Sequence, residues 1–143
     1  MKTLLMNCKT RLRTEISYIR PADIYITEDI RLIRSSGSYP AIGIKDGGVQ
    51  FAALAGDQDE DTLTVTLAVY VSLQKQEAML IGAAGQKGVL DVAEDILALL
   101  KDYTFSGSYD TALPLSQGES EILIEGGHAI MLVPVIMQFT RFT

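Results

Sequence analysis

Residues 62–73 constrain the fold of this chain more than any other stretch. Leu63, Val65, Leu67, Val69, Val71 and Leu73 alternate with Thr62, Thr64, Thr66, Ala68, Tyr70 and Ser72. A period of two over that length predicts a long strand with one face on an apolar core. The threonine-bearing face is expected to be less buried, as in an antiparallel sheet covered on one side. Such a strand needs neighbours along its edges and a layer of apolar residues over one face.

The end of the sequence offers the neighbours. Residues 121–143 read as a short strand, a Gly126-Gly127 turn and a long, mostly apolar strand. Met131, Val133, Val135, Met137 and Phe139 fall on one side of it, and Ile130, Leu132, Ile136 and Phe142 on the other. Either both faces are covered within one chain, or one meets a neighbouring subunit. Pro134 points to an edge position or a bulge. An apolar edge strand is an aggregation hazard unless a partner covers it, which makes Met131, Val133, Val135 and Met137 candidate subunit contacts.

Two amphipathic stretches supply the covering layer. Leu5, Cys8, Leu12, Ile16 and Ile19 predict a first helix over residues 3–19, stopped by Pro21. Val89, Ala93, Ile96, Leu97 and Leu100 predict a second over residues 88–102, with Asp91, Glu94, Asp95, Lys101 and Asp102 on its other side. Residues 75–80 are consistent with an extra helical turn. Ile24 and Ile26 alternate like a strand, and residues 35–38 read as a loop. Residues 41–45 read as a short strand, Asp46-Gly47-Gly48 as a hairpin turn and residues 49–54 as the return strand. Residues 104–118, with Gly107, Pro114 and Gly118, read as a long connection. Two helices against a mostly antiparallel sheet, without βαβ alternation, give an α+β fold, expected as one domain over residues 1–143.

Composition narrows the function. The net charge of -6 across 143 residues works against tight DNA binding through phosphate neutralisation. A single cysteine, Cys8, forms no internal disulfide, which fits a reducing compartment. No apolar run approaches a membrane span, and the first residues lack the length of a secretory signal, so a cytoplasmic protein without membrane association is expected.

Candidate chemistry is sparse. Asp57, Asp59 and Asp61 occupy the first, third and fifth positions of a calcium-loop pattern. The pattern then fails, because Thr62 stands where glycine makes the sharp turn and Ala68 where a bidentate glutamate is needed. Residues 57–61, including Glu60, therefore read as a solvated acidic loop, with a divalent-cation site as the alternative. His128, the only histidine, reads as a turn residue, and Cys8 as a buried helix residue. Gly82, Gly85 and Gly88 precede a helix, but Lys87 comes before Gly88, so the Walker spacing is absent. No nucleophile, base and orienting partner are set out together, so no enzyme and no cofactor is expected.

Four segments carry a family resemblance: Leu63-Thr-Val-Thr-Leu-Ala-Val-Tyr-Val71, Gly88-Val-Leu-Asp-Val-Ala-Glu-Asp-Ile-Leu-Ala-Leu-Leu100, Ala112-Leu-Pro-Leu115 and Val135-Ile-Met-Gln-Phe-Thr-Arg-Phe142. In their order and apolar spacing they resemble the tail terminator, or tail completion, proteins of long-tailed bacteriophages, in particular the minor tail proteins of Mu-like phages and prophages. The first sixty residues share only the order of elements. The resemblance implies a homo-oligomeric, usually hexameric, ring that caps the tail tube, stops its polymerisation and meets the head-tail connector. DNA would pass through an acidic lumen as cargo, without specific binding. The protein would be found in the host cytoplasm during assembly and then in the virion tail. The acidic residues Asp57, Asp59, Glu60 and Asp61 become candidates for the lumen or a subunit contact. A head-tail connector or neck protein shares the element order and is the alternative role, and a small metal-dependent binding module or enzyme using the acidic loop is a further one.

Overall fold

A computed structural model describes residues 1–34, 37–73, 76–125 and 127–143, with the backbone alone at Gln76, Glu125 and His128. The elements, in order, are α1 (Lys2–Glu15), a 3-10 turn (Pro21–Asp23), β1 (Ile24–Ile26), β2 (Ala41–Ala53), β3 (Asp59–Ser72), α2 (Gln76–Ile81), α3 (Val89–Leu100), β4 (Thr111–Gln117), β5 (Glu121–Glu125) and β6 (His128–Phe142). The fold is α+β. One six-stranded sheet runs β1-β2-β3-β6-β4, with β5 also pairing with β6. Among the described residues, only β1 with β2 is parallel.

The alternating strand is central and its pattern is honoured. Leu63, Val65, Leu67 and Val69 are fully buried on the helix side, joined across the ladder by Phe139, Met137, Val135 and Val133. Over them lie Leu4, Cys8 and Leu12 of α1 and Val89, Val92, Ala93, Ile96 and Leu100 of α3. The second helix begins at the expected place, and Val92 joins its buried face.

Helix α1 ends at Glu15, four residues before the expected stop. Ile16 is already extended (φ -95°, ψ 108°), yet Ile16 and Ile19 stay buried. Their apolar spacing is therefore met by extended chain running down to β1, where the Arg13 guanidinium donates to the Ile24 carbonyl at 2.9 Å.

The expected hairpin at residues 46–48 is a bulge instead. β2 continues through it: Asp46 faces Val65 and Val49 faces Leu63, so Gly47 and Gly48 together stand opposite Thr64. Glycine is required there because a Cβ on Gly47 would lie 2.9 Å from Thr64 Cγ2, and Gly48 has φ +93°. The chain turns at residues 54–58, where the Leu54 N–H donates to the Gln58 carbonyl at 2.6 Å. Gly56 (φ 75°) and Asp57 (φ 62°) supply the left-handed backbone of that turn.

The region expected as a long connection holds strand β4. Pro114 and a register shift between Pro114 and Ser116 mask its periodicity in the sequence. The short helix anticipated near residue 75 appears as α2, with Lys75 outside the described residues, as are Ser35 and Ser36 of the expected loop and Gly126 of the expected turn.

Strand β6 is not an edge strand. β3 pairs with it on one side, and β4 and β5 lie end to end along the other. Pro134 sits where β4 gives way to β5, and its carbonyl accepts from the Gly118 N–H at 2.9 Å. The N and O of a strand residue face the same side, so the missing Pro134 N–H falls at this break in the ladder and costs no strand hydrogen bond. Gly118 is needed for the approach, since a Cβ there would stand 2.7 Å from Pro134 Cγ.

Candidate interaction surfaces

The face of the sheet away from the helices is covered at one end only. There Ala41, Ala68, Tyr70, Ile130 and Leu132 form a second buried cluster, with Tyr25, Ile30, Ile33 and Tyr39 packed against it. The chain between β1 and β2 supplies this cover, and the Tyr70 hydroxyl donates to the Ile30 carbonyl. Burial is the main reason that this hydroxyl titrates far above an ordinary tyrosine.

Asp23 locks the cover in place. Its side chain is 1% exposed and accepts from Arg20 Nε at 2.8 Å, from Arg20 Nη2 at 3.3 Å and from the Ser38 N–H at 3.2 Å. Arg34 stands 3.8 Å away and stacks over the Tyr25 ring. Hydrogen bonding from Arg20 holds the Asp23 carboxyl below the usual carboxylate range, against the opposing effect of burial. No spacing in the sequence marked Asp23. Its only signal was an acidic residue two positions after Pro21.

Toward its other end the same face stays partly open. Cross-strand pairing places Thr62 beside Thr140, Thr64 beside Gln138 and Thr66 beside Ile136. All six side chains are half-buried and none is charged.

Past the helices, the β2–β3 hairpin extends as an arm. Residues 50–59 are exposed throughout, and Phe51, at 78%, is among the most exposed large apolar side chains. The acidic residues expected at a loop are distributed over this arm. Asp57 lies in the turn, whereas Asp59, Glu60 and Asp61 belong to β3. Alternation puts Asp59 and Asp61 on the helix-side face and Glu60 on the opposite one. Asp61 is further committed, accepting from Arg141 Nε at 3.2 Å. Among the described residues, no three His, Cys, Asp or Glu side chains are grouped to hold a metal, Asp57, Asp59 and Asp61 of the alternative cation-site reading included.

The candidate subunit contacts on β6 are placed in the core. Val133, Val135 and Met137 are fully buried and Met131 is 6% exposed, all on the helix side. The edge-strand reading that made them contacts is corrected by the pairing of β6 on both sides. Cys8 is fully buried between α1 and the sheet, and burial pushes its thiol up to about 12. The side chain of His128 lies outside the described residues.

The glycine-rich stretch before α3 wraps around a carboxylate of the chain itself. Asp91 Oδ2 accepts from the Gly88 N–H at 2.9 Å, and a Cβ on Gly82 would overlap that oxygen. Asp91 thus fills the helix N-terminus that a phosphate would use. Nearby, an open depression of about 250 Å³ is bordered by Tyr18, Pro40, Met79, Gln86 and Lys87. At its rim Asp95 accepts from the Tyr18 hydroxyl and pairs with Lys87 at 3.2 Å.

No protein-family model matches the chain, and no curated protein matches it by sequence. No described helix is long and apolar enough to cross a membrane.

Proposed function

We propose that this chain is a structural, ring-forming tail terminator of a phage or prophage. A closed ring of copies would cap the tail tube, end its polymerisation and present a joining surface to the head connector. The observation that carries the reading is the half-open outer face of the central sheet. It is regular and uncharged from Thr62 to Thr66 on β3 and from Ile136 to Thr140 on β6, and among the described residues no helix covers it. Such a face suits either a neighbour or the wall of a channel. The net charge of -6 per copy gives a ring an acidic character, which keeps passing DNA from sticking. The reading rests as well on the resemblance carried by the apolar spacing of the second half of the sequence.

Mass in solution tests the reading, by light scattering or native mass spectrometry over a wide range of protein concentration. A closed ring of about six copies supports it, as does capping of preformed tail tubes. A chain that stays monomeric and leaves added tubes uncapped overturns it.

A further inference from the structure

We infer that the arm of one copy docks on helix α1 of the next, through opposite charges that surround exposed apolar side chains. This rests on the ring reading and names the contact that would hold the ring.

Both surfaces are unsatisfied within one chain. On the helix-side face of the arm, Phe51 is 78% exposed and no helix of its own chain covers it. Asp59 stands opposite Ala53 on this face, one step further along the arm, and Asp57 lies in the adjoining turn. Among the described residues neither aspartate forms an ion pair, whereas Asp61 beside them is already neutralised by Arg141.

Helix α1 presents the complementary surface. Leu4, Cys8 and Leu12 face the core. Lys2, Met6 and Lys9, spaced by four and three residues, share one stripe outside the core face, with Lys2 and Met6 exposed and Lys9 half-buried on its flank. Met6 is 47% exposed between the two lysines. Neither lysine has an ion-pair partner among the described residues, in contrast to Arg11, which pairs with Glu15 and stacks on Tyr103.

An acidic arm around an exposed phenylalanine and a basic stripe around an exposed methionine match in sign and in chemistry. Methionine adapts to an aromatic neighbour. The two surfaces differ, so repeating the contact from copy to copy is heterologous, the type of contact that closes a ring. A neighbour's α1 seated there would extend the helix layer over the part of the sheet that its own helices leave bare.

Charge reversal by mixing tests this. One variant carries Asp57→Asn with Asp59→Lys, because asparagine tolerates the positive φ of residue 57. The other carries Lys2→Glu with Lys9→Glu. Each variant alone is expected to associate about tenfold or more weakly than the unaltered chain, because like charges now meet. Mixed in equal amounts they are expected to regain assembly, since the basic arm of one meets the acidic helix of the other. Circular dichroism of each variant checks that it folds. If both variants assemble as the unaltered chain does, or the mixture fails to recover, the arm-to-helix contact is overturned while the ring reading stands. If the unaltered chain is monomeric at every concentration and caps no tube, both are overturned.

Discussion

Replacing Asp23 tests how the cover over the outer face is held. The carboxylate is 1% exposed and takes three hydrogen bonds, two from Arg20 and one from the Ser38 N–H. Hydrogen bonds to a charged group contribute about 1.5–3 kcal/mol net, and the larger part of that is offset here by keeping the carboxylate out of water. Asp23→Ala leaves the Ser38 N–H without its acceptor, whereas the Arg20 head, 62% exposed, returns to solvent. We expect a loss of about 2 kcal/mol at pH 7. Asp23→Asn is expected to lose nearly as much, because its amide can serve Ser38 with one atom but turns a second donor on Arg20. The folded-state pKa of Asp23 lies below its unfolded value. The carboxylate's contribution is therefore complete above the ordinary carboxylate value of about 4 and is lost as pH falls through the folded value. Urea unfolding of the unaltered chain and of Asp23→Asn at pH 7, 5, 4 and 3 should show a gap that is steady down to pH 5 and then closes. Equal midpoints at pH 7, or a gap that persists unchanged at pH 3, would refute the ion-pair account.

Three further outcomes follow from single features. Gly118→Ala places a Cβ 2.7 Å from Pro134 Cγ. It should cost about 1–3 kcal/mol by thermal or urea unfolding, and an unchanged midpoint would mean that the β4–β5 junction is looser than described. The Cys8 thiol, buried and raised to about 12, should react with a disulfide reagent only at the rate of unfolding, and rapid labelling of the folded chain would contradict its burial. Calcium or manganese at millimolar concentration should leave the melting temperature unchanged, because Asp57, Asp59 and Asp61 are not grouped to hold an ion. A clear rise would revive the metal-module alternative, since an ion bound only by the folded state must stabilise it.

What was legible in the sequence was whatever a single period decides. Residues 62–73 and 89–100 show strict spacing, and the structure buries those positions apart from Leu73 and Leu97, which are half-buried against the same core. The misreadings lie where one signal has two physical meanings. Gly47-Gly48 after Asp46 serves equally for a turn and for a bulge, and only the partner Thr64 decides between them. Pro114 and Pro134 both argued against interior strands. Pro134 is tolerated in a fully flanked strand because the β4–β5 break coincides with it, a coincidence set by residues 118–121 and invisible in local pattern. The same gap moved the candidate contacts. Once β6 is central, its helix-side face belongs to the core, and Met131, Val133, Val135 and Met137 have no surface to offer. Phe51 went unmarked because it sits in a short apolar run that resembles an ordinary strand. Its exposure depends on how far the helices reach along the sheet.

That displacement changes the kind of assembly to expect. An apolar β6 edge would have favoured a permanent interface resembling a core cut in half. Exposed apolar side chains remain on β4 (Leu113, Leu115) and β5 (Ile122, Ile124), but the outer face, the arm and α1 are of another kind. The outer face offers threonine and glutamine, and the arm around Phe51 and Leu54 and α1 around Met6 carry charges that have no ion-pair partner among the described residues. Edge pairing is discouraged as well. The bulge at Gly47-Gly48 breaks the free part of β2, and Pro114 with the adjoining register shift breaks β4. Self-association built on such surfaces gains much of its strength from exposed charges, which salt screens over about 8–10 Å at ordinary ionic strength. An assembly held by the arm and α1 should therefore weaken steadily as salt is raised. A ring that persisted unchanged in molar salt would have to be held by a surface other than the arm and α1.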